Sequence, residues 1–311
     1  MLDMRGIIKK NEDRCYPMLQ LEEITLGLKQ RYESFAKFEK LSFLRFANIF
    51  MSRGCMALRY GELEDAMSIY SVLPKRKVSP YGLGLFSKEG KSFAPLVRAA
   101  EAHFKGKVNY YELSEPMVDK LLLDCPGMFE KVESVDDEDY IYETEKLIRL
   151  AGKKYHSKRN FINRFESSYE YEYIPLTGEN ALMCLPALEE WFSRHHEKML
   201  FYFDEKEAIL ELLHHFDALG LRGAAIKIDG KIRAMTIGEF LPPDTAHILI
   251  EKADIDYPGL YAVINQKFLE REWSHTKLVN REEDMGVEGL RKAKQSYQPL
   301  YQNKVFNAIR I

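Results

Sequence analysis

Residues 222–252 read RGAAIKIDGKIRAMTIGEFLPPDTAHILIEK, and this stretch decides the fold. The runs 222–228 and 231–240 are apolar and β-branched, and they flank Asp229-Gly230, the pair that favours a two-residue hairpin turn. Pro242-Pro243-Asp244 then turns the chain into another strand over 246–252. Downstream, Pro258-Gly259 opens a helix with Tyr261, Ile264 and Phe268 on one face. A short strand at 276–279, a helix near 286–297 and a last strand over 300–309 follow. Upstream, Leu188, Trp191 and Phe192 predict a helix over 182–198. Ile209, Leu212, Leu213 and Phe216 predict another over 205–219, stopped by Gly220.

The first half has the same order. Helical pattern covers 24–51, and strands are expected at 56–60, 67–72 and 81–86. A helix at 93–104, a strand at 108–113, a helix at 115–123 and extended segments at 128–132 and 140–142 complete it. Each half therefore runs as two helices, a meander of strands, then helix, strand, helix, strand. A repeated element order predicts two α/β (α+β) domains of one fold, each a mixed sheet flanked by helices. Charge changes abruptly near 150. Residues 133–145 carry seven acids (Glu133, Asp136, Asp137, Glu138, Asp139, Glu143, Glu145) and no Lys or Arg, whereas 151–165 carry Lys153, Lys154, Lys158, Arg159 and Arg164 and no acid. The expected division is 1–150 and 151–311, with the active site in the second unit.

Composition bounds the function. The chain has 311 residues, 46% hydrophobic and 30% charged, enough to build two cores and too apolar for a disordered chain. Its net charge of −3 supplies no global field for DNA, so any nucleic-acid site must be a local basic face. Cys15, Cys55, Cys125 and Cys184 stand singly, which argues against a zinc ribbon or a redox pair, and no metal site is expected. No apolar run is long enough to span a bilayer, and the start of the chain has no secretory pattern, so a cytoplasmic protein is expected. Gly-x-Ser-x-Gly, His-Glu-x-x-His and the P-loop pattern are absent. His195, His196, His214 and His215 lie in helical pattern without ligand spacing, and His156 is the one histidine inside the basic segment.

Three segments carry the remaining signal: Lys153-Lys154-x-x-x-Lys158-Arg159-Asn160-x-Ile162-Asn163-x-Phe165, then Glu251-Lys252-Ala253-Asp254, then Asn280-Arg281-Glu282-Glu283-Asp284-x-Gly286-x-Glu288-Gly289-Leu290-Arg291-x-Ala293-Lys294-x-Ser296-Tyr297. With the element order, which is that of the acetyltransferase-like (GNAT) fold, they make the chain resemble a bacterial family. Its members are similar to the C-terminal catalytic domain of phosphatidylglycerol lysyltransferases, tandem GNAT domains related to the Fem peptidyltransferases. The resemblance implies an aminoacyl or acyl transferase, with aminoacyl-tRNA as donor and a lipid head group or small molecule as acceptor, the lipid acceptor being anionic and met at a membrane surface. Lysyltransferases fuse this domain to a multi-span membrane segment that this sequence lacks, and the acceptor stays open.

The residues add their own arguments. A GNAT enzyme cradles the pyrophosphate of acyl-CoA on a Gly-rich loop after the central strand. The equivalent segment here, 250–260, has one glycine and the acids Glu251, Asp254 and Asp256, which repel a pyrophosphate and disfavour CoA. The plainer reading makes Glu251 and Lys252 a strand-end ion pair and Asp254 a turn residue. The basic segment offers Lys154, Lys158, Arg159 and Asn160 to a tRNA acceptor stem, with Phe161, Ile162 and Phe165 as anchors on the other side; its plainer reading is a solvated face. In the third segment Asp284 reads as a helix N-cap, Arg281 and Arg291 as phosphate or carboxylate binders, and Asn280, Glu288 and Lys294 as parts of a polar network. Glu251, Asp284 and Glu283 are the candidate catalytic carboxylates. Lys252 and Asp254 join the binding set, and Arg291, Arg281, Asp284 and Glu251 are expected to share one pocket. Two other functions remain open: an acyl-CoA-dependent N-acyltransferase with an atypical pocket, and a non-catalytic ligand-binding protein of the same fold.

Overall fold

The computed structural model describes residues 18–37, 39–73, 79–194 and 205–311. Cys15, His195, His196 and the far end of the helix expected to reach 198 lie outside the described residues. Fourteen strands are present among those described: β1 (Leu21–Glu23), β2 (Leu58–Leu63), β3 (Ala66–Ser71), β4 (Tyr81–Ser87), β5 (Tyr110–Leu113), β6 (Phe129–Glu133), β7 (Asp139–Glu143), β8 (Glu172–Leu176), β9 (Arg222–Ile228), β10 (Lys231–Leu241), β11 (Thr245–Ala253), β12 (Leu278–Asn280), β13 (Tyr301–Asn303) and β14 (Phe306–Arg310).

They form two seven-stranded sheets, ordered β1-β2-β3-β4-β5-β14-β6 and β8-β9-β10-β11-β12-β7-β13. The two orders correspond strand for strand. Each sheet has one parallel pair, β4 with β5 and β11 with β12, and its other neighbours are antiparallel. The repeated order read from the sequence is thus present, and these are two mixed sheets flanked by helices. Two strands cross the division expected near 150. β7 follows β6 in the chain but inserts between β12 and β13, and β14 follows β13 but inserts between β5 and β6. Each half lends its last strand to the other's sheet.

Burial patterns explain why the exchange is stable. Tyr140 and Tyr142 of β7 sit in the core under the second sheet, with Phe165, Leu260, Phe268 and Trp273. Phe306 and Ala308 of β14 sit in the core under the first, with Leu96, Val97, Tyr110 and Phe129. A third core is shared by both halves and joins Ile49, Phe50, Ile69 and Leu83 to Leu188, Leu212, Phe216 and Leu249. Helix Phe46–Ser52 is buried on every side because it lies in this seam against helix Glu205–His214.

Several elements differ from expectation. The pattern over 24–51 is broken into a short 3-10 turn at Leu26–Leu28, a helix at Lys29–Phe35 and the buried helix at Phe46–Ser52. β8 was not expected: Pro175 and the charges of its segment mask an edge strand, where a missing N–H is tolerated. The helix over 205–219 breaks at His215 into Glu205–His214 and Phe216–Leu219. The single last strand over 300–309 is two strands, parted at Lys304-Val305, which pair in different sheets.

Removing residues 304–311 deletes the strand that joins β5 to the edge strand β6 in the first sheet, so both halves are expected to lose cooperative unfolding together. A circular-dichroism melt with the near-ultraviolet signal followed in parallel checks this. A second half that melts at its original temperature would contradict it.

Candidate active site at the seam of the two sheets

The loop after β12 builds the site. Asn280 is buried; its Oδ1 accepts the Glu282 N–H at 2.8 Å and its Nδ2 donates to Asp139 at 2.8 Å. Asp139 also accepts from the Ser42 N–H at 2.8 Å and the Ser42 hydroxyl at 2.5 Å. Glu282 Oε1 accepts from Asn48 Nδ2 at 2.9 Å and meets His247 Nε2 at 3.1 Å, while His247 Nδ1 meets Glu239 at 3.0 Å. Ser42 and Asn48 come from the first half, so this is a buried polar clamp across the seam. Burial alone would push the His247 imidazole down, but Glu239 and Glu282 on its two nitrogens lift it to about 9, so both nitrogens donate at neutral pH. Burial raises Asp139 despite its donors.

Beside the clamp lies an acidic cluster. The equivalent strands β5 and β12 each deliver a glutamate with left-handed backbone, Glu112 at φ 55° and Glu282 at φ 59°. A left-handed residue with a Cβ costs roughly 1–2 kcal/mol, so its repetition at equivalent strand ends marks a built feature. Glu112 faces Asp137, Glu283 and Asp139, and burial together with these like charges holds its carboxyl far above the ordinary range. Glu283 is raised by burial and then by Glu282 and Asp139. Both keep part of their surface in solvent. Glu39 is raised by burial against donors from Leu41, Lys40 and Ser114. On the other side Lys294 Nζ donates to the carbonyls of Arg281 and Glu282, the latter at 2.9 Å, which fixes the loop. Burial pushes this ammonium down, while Glu283 and Glu282 push it back up.

The four residues expected to share a pocket form two ion pairs. Arg281 Nη2 reaches Glu251 at 2.8 Å, and Asn265 holds the second Glu251 oxygen at 2.8 Å. Arg291 grips Asp284 with Nε and Nη2, each at 2.8 Å, and Tyr140 donates to Asp284 at 2.6 Å. Asp284 is held down to about 2 by Arg291, with Tyr140 and the Gly286 N–H assisting against burial. Lys294 follows one turn after Arg291, and its backbone carbonyl accepts from Tyr142 at 2.9 Å. Asp284 is not the N-cap: helix Glu288–Gln295 is capped at Val287, and Asp284 instead holds the preceding turn through the Gly286 N–H at 2.9 Å.

Glu251 and Lys252 do not pair, because successive strand residues point to opposite faces. Lys252 lies 4.1 Å over the Trp191 ring and pairs with Glu205 at 2.6 Å; Asp254 pairs with Arg194 at 3.2 Å and Arg233 at 3.1 Å. Arg159 donates to the carbonyls of Leu150 and Gly152, Asn160 reaches only His156 at 3.3 Å, and Lys154 is exposed. Glu288 is exposed and pairs with Lys292. Ile162 and Phe165 anchor helix His156–Ser168 as expected, but Phe161 is exposed, and its backbone carbonyl packs where Gly259 leaves room for no Cβ. Sequence reasoning missed His247, Glu239, Glu112, Glu282, Asp139, Ser42 and Asn48. His247-x-x-x-Glu251 on a strand carries no motif, and only the rarity of a histidine inside an apolar strand could have marked it.

A family model described as phosphatidylglycerol lysyltransferase, C-terminal, matches residues 39–309. A solved structure of a conserved protein of unknown function from Bacteroides thetaiotaomicron is 30% identical with a TM-score of 0.84, covering 94% of this chain and 100% of that one. L-PGS from Bacillus licheniformis is 18% identical with a TM-score of 0.65 over 93% of each chain. FemX (11% identity, TM-score 0.58, 93% and 96% coverage) and a tandem GNAT protein from the clavulanic acid biosynthesis pathway (10%, 0.52, 94% and 98%) share the fold. A curated relative, an uncharacterized protein of Mycoplasmoides gallisepticum, is 26% identical over 162 residues, so the match spans about half (52%) of each chain. No helix among the described residues is long and apolar enough to cross a membrane.

The clamp makes stability fall with rising pH. An unfolded histidine titrates near 6.5, so the contribution of His247 is complete below that pH and is lost as pH rises through about 9. At its full extent it amounts to about 3 kcal/mol. The melting-temperature difference between wild type and His247→Gln, measured from pH 6 to 10, is expected to shrink steadily over about pH 6.5 to 9.

Proposed function

The chain belongs to the phosphatidylglycerol lysyltransferase C-terminal family, and on that footing we propose that it transfers an aminoacyl group from aminoacyl-tRNA to an acceptor hydroxyl or amine at the acidic cluster in the seam. One observation carries the reading. Glu112 and Glu283 are half-buried, gather with Asp137, Asp139 and Glu282 in one carboxylate cluster, and have no side-chain hydrogen-bond partner among the described residues. Carboxyls so placed suit a ligand that brings its own positive charge and donors, as the α-ammonium of an aminoacyl ester does.

The chemistry asked of the protein is modest, since the ester is already activated. The acceptor oxygen or nitrogen attacks the ester carbonyl carbon, its proton passes to Glu283, the bond to the ribose oxygen breaks, and the proton leaves on that oxygen. A carboxyl raised toward neutrality is a stronger base than an exposed one. Glu112 ionises when the donor ammonium sits beside it and pairs with that charge, and Lys294 keeps the 281–283 backbone in place. The acceptor is a lipid head group or a small molecule.

An acyl-CoA donor is less well served. At the start of helix Leu260–Glu272, where a pyrophosphate would sit in the usual arrangement, helix His156–Ser168 lies directly against Gly259.

Glu283→Gln is expected to lower transfer from labelled aminoacyl-tRNA about 100-fold or more at neutral pH, the scale of a lost general base. Glu112→Gln should act mainly on the apparent donor affinity. Turnover with acetyl-CoA but not with any aminoacyl-tRNA would refute the proposal.

A further inference from the structure

The second sheet carries a cavity that neither the clamp nor the acidic cluster uses. It holds about 300 Å³ between helix Leu185–Arg194, the start of β10 and the end of β11. Its wall is apolar, with Leu188 and Trp191 from the helix and Ile232 and Met235 from β10. That volume lies at the lower end of what small-molecule sites show. The charged residues of the lining form one chain of ion pairs. Arg194 reaches Glu190 at 2.5 Å, Asp254 at 3.2 Å and Asp256 at 3.0 Å, and Arg233 reaches Asp254 at 3.1 Å and Glu190 at 3.3 Å. Among the described residues two guanidinium groups thus serve three carboxylates. Lys252 does not make up the difference, because it pairs with Glu205 at 2.6 Å. One negative charge is left over. It falls to Asp256, whose side chain is 68% exposed and whose carboxylate meets only Arg194 among the described residues.

We infer that this cavity binds a small organic monocation, a primary amine on an apolar body, with the body against Trp191 and Met235 and the ammonium at Asp256. Charge selects the class. A carboxylate brought to a mouth with an unmatched carboxylate is repelled, and an uncharged molecule gains only from the wall. An ammonium on the same body gains from both. It also leaves the chain of ion pairs intact, because Arg194 engages one Asp256 oxygen and the other has no partner among the described residues. No group of the clamp or of the acidic cluster lines the cavity, so the inference stands apart from the transfer reading.

The test is titration calorimetry on the full chain at neutral pH with three probes of one shape: phenylpropylamine, phenylpropanol and phenylpropionate. The amine is expected to bind at least about tenfold tighter than the alcohol, and the acid weakest of the three. Added salt should shrink that preference. Asp256→Asn should bring the amine down to the level of the alcohol and leave the alcohol where it was, while Asp256→Glu should keep the preference. Ala187→Trp, which fills the cavity, should abolish binding of both. If that variant melts early, the two exposed Asp256 variants carry the test alone. The inference falls if no probe binds, if the alcohol or the acid binds as tightly as the amine, or if Asp256→Asn retains the preference. None of these titrations involves transfer, so a failed transfer assay leaves the site standing and a failed titration leaves the transfer reading standing.

Discussion

One buried and one half-buried carboxylate hold this molecule in register. Asp139 and Glu282 each take hydrogen bonds from both sides of the seam, Asp139 from Ser42 and Asn280, Glu282 from Asn48 and His247. A buried carboxylate without donors would cost several kcal/mol, so this arrangement exists only when both sheets are correctly docked. It is therefore a condition on the relative placement of the halves as well as a contact between them. The loop carrying Glu283, Asp284 and Arg281 hangs from the same clamp, which ties the cluster geometry to docking.

The pseudo-twofold relation explains why the chemistry gathers where it does. Equivalent strand ends point into the seam, and each brings a left-handed glutamate. Repetition of one fold thus concentrates like charge in one place. The cations sit to the side, Lys294 on the loop backbone and Lys158 with Arg281 around Tyr297.

Much of the fold was legible in the sequence. Asp229-Gly230 marked the hairpin, and the repeated element order marked two related units. The strand exchange was not legible for a physical reason: alternation reports which residues of a strand are buried and says nothing of which sheet buries them. DYIYE and FNAIR read as ordinary strands in either place. Of the candidate site, the third segment was visible because opposite charges crowd it. Its pairing was not: Arg281 finds Glu251 thirty positions away in the chain, and Arg291 finds Asp284 seven positions back, in the turn before its helix. Glu112 and His247 escaped because their significance lies in backbone conformation and enclosure, which single residue types do not announce.

The exchange of last strands also governs how the chain can come into being. As the polypeptide leaves the ribosome, the first sheet has β5 and β6 but a vacant lane between them until β14 has been made. Bare strand edges of that kind recruit other chains, so a nascent first half is exposed to mispairing for most of its synthesis. Two copies of the chain could also trade these strands, each completing the other's sheet. The interlock that makes the finished protein one unit makes its birth a late, all-at-once event.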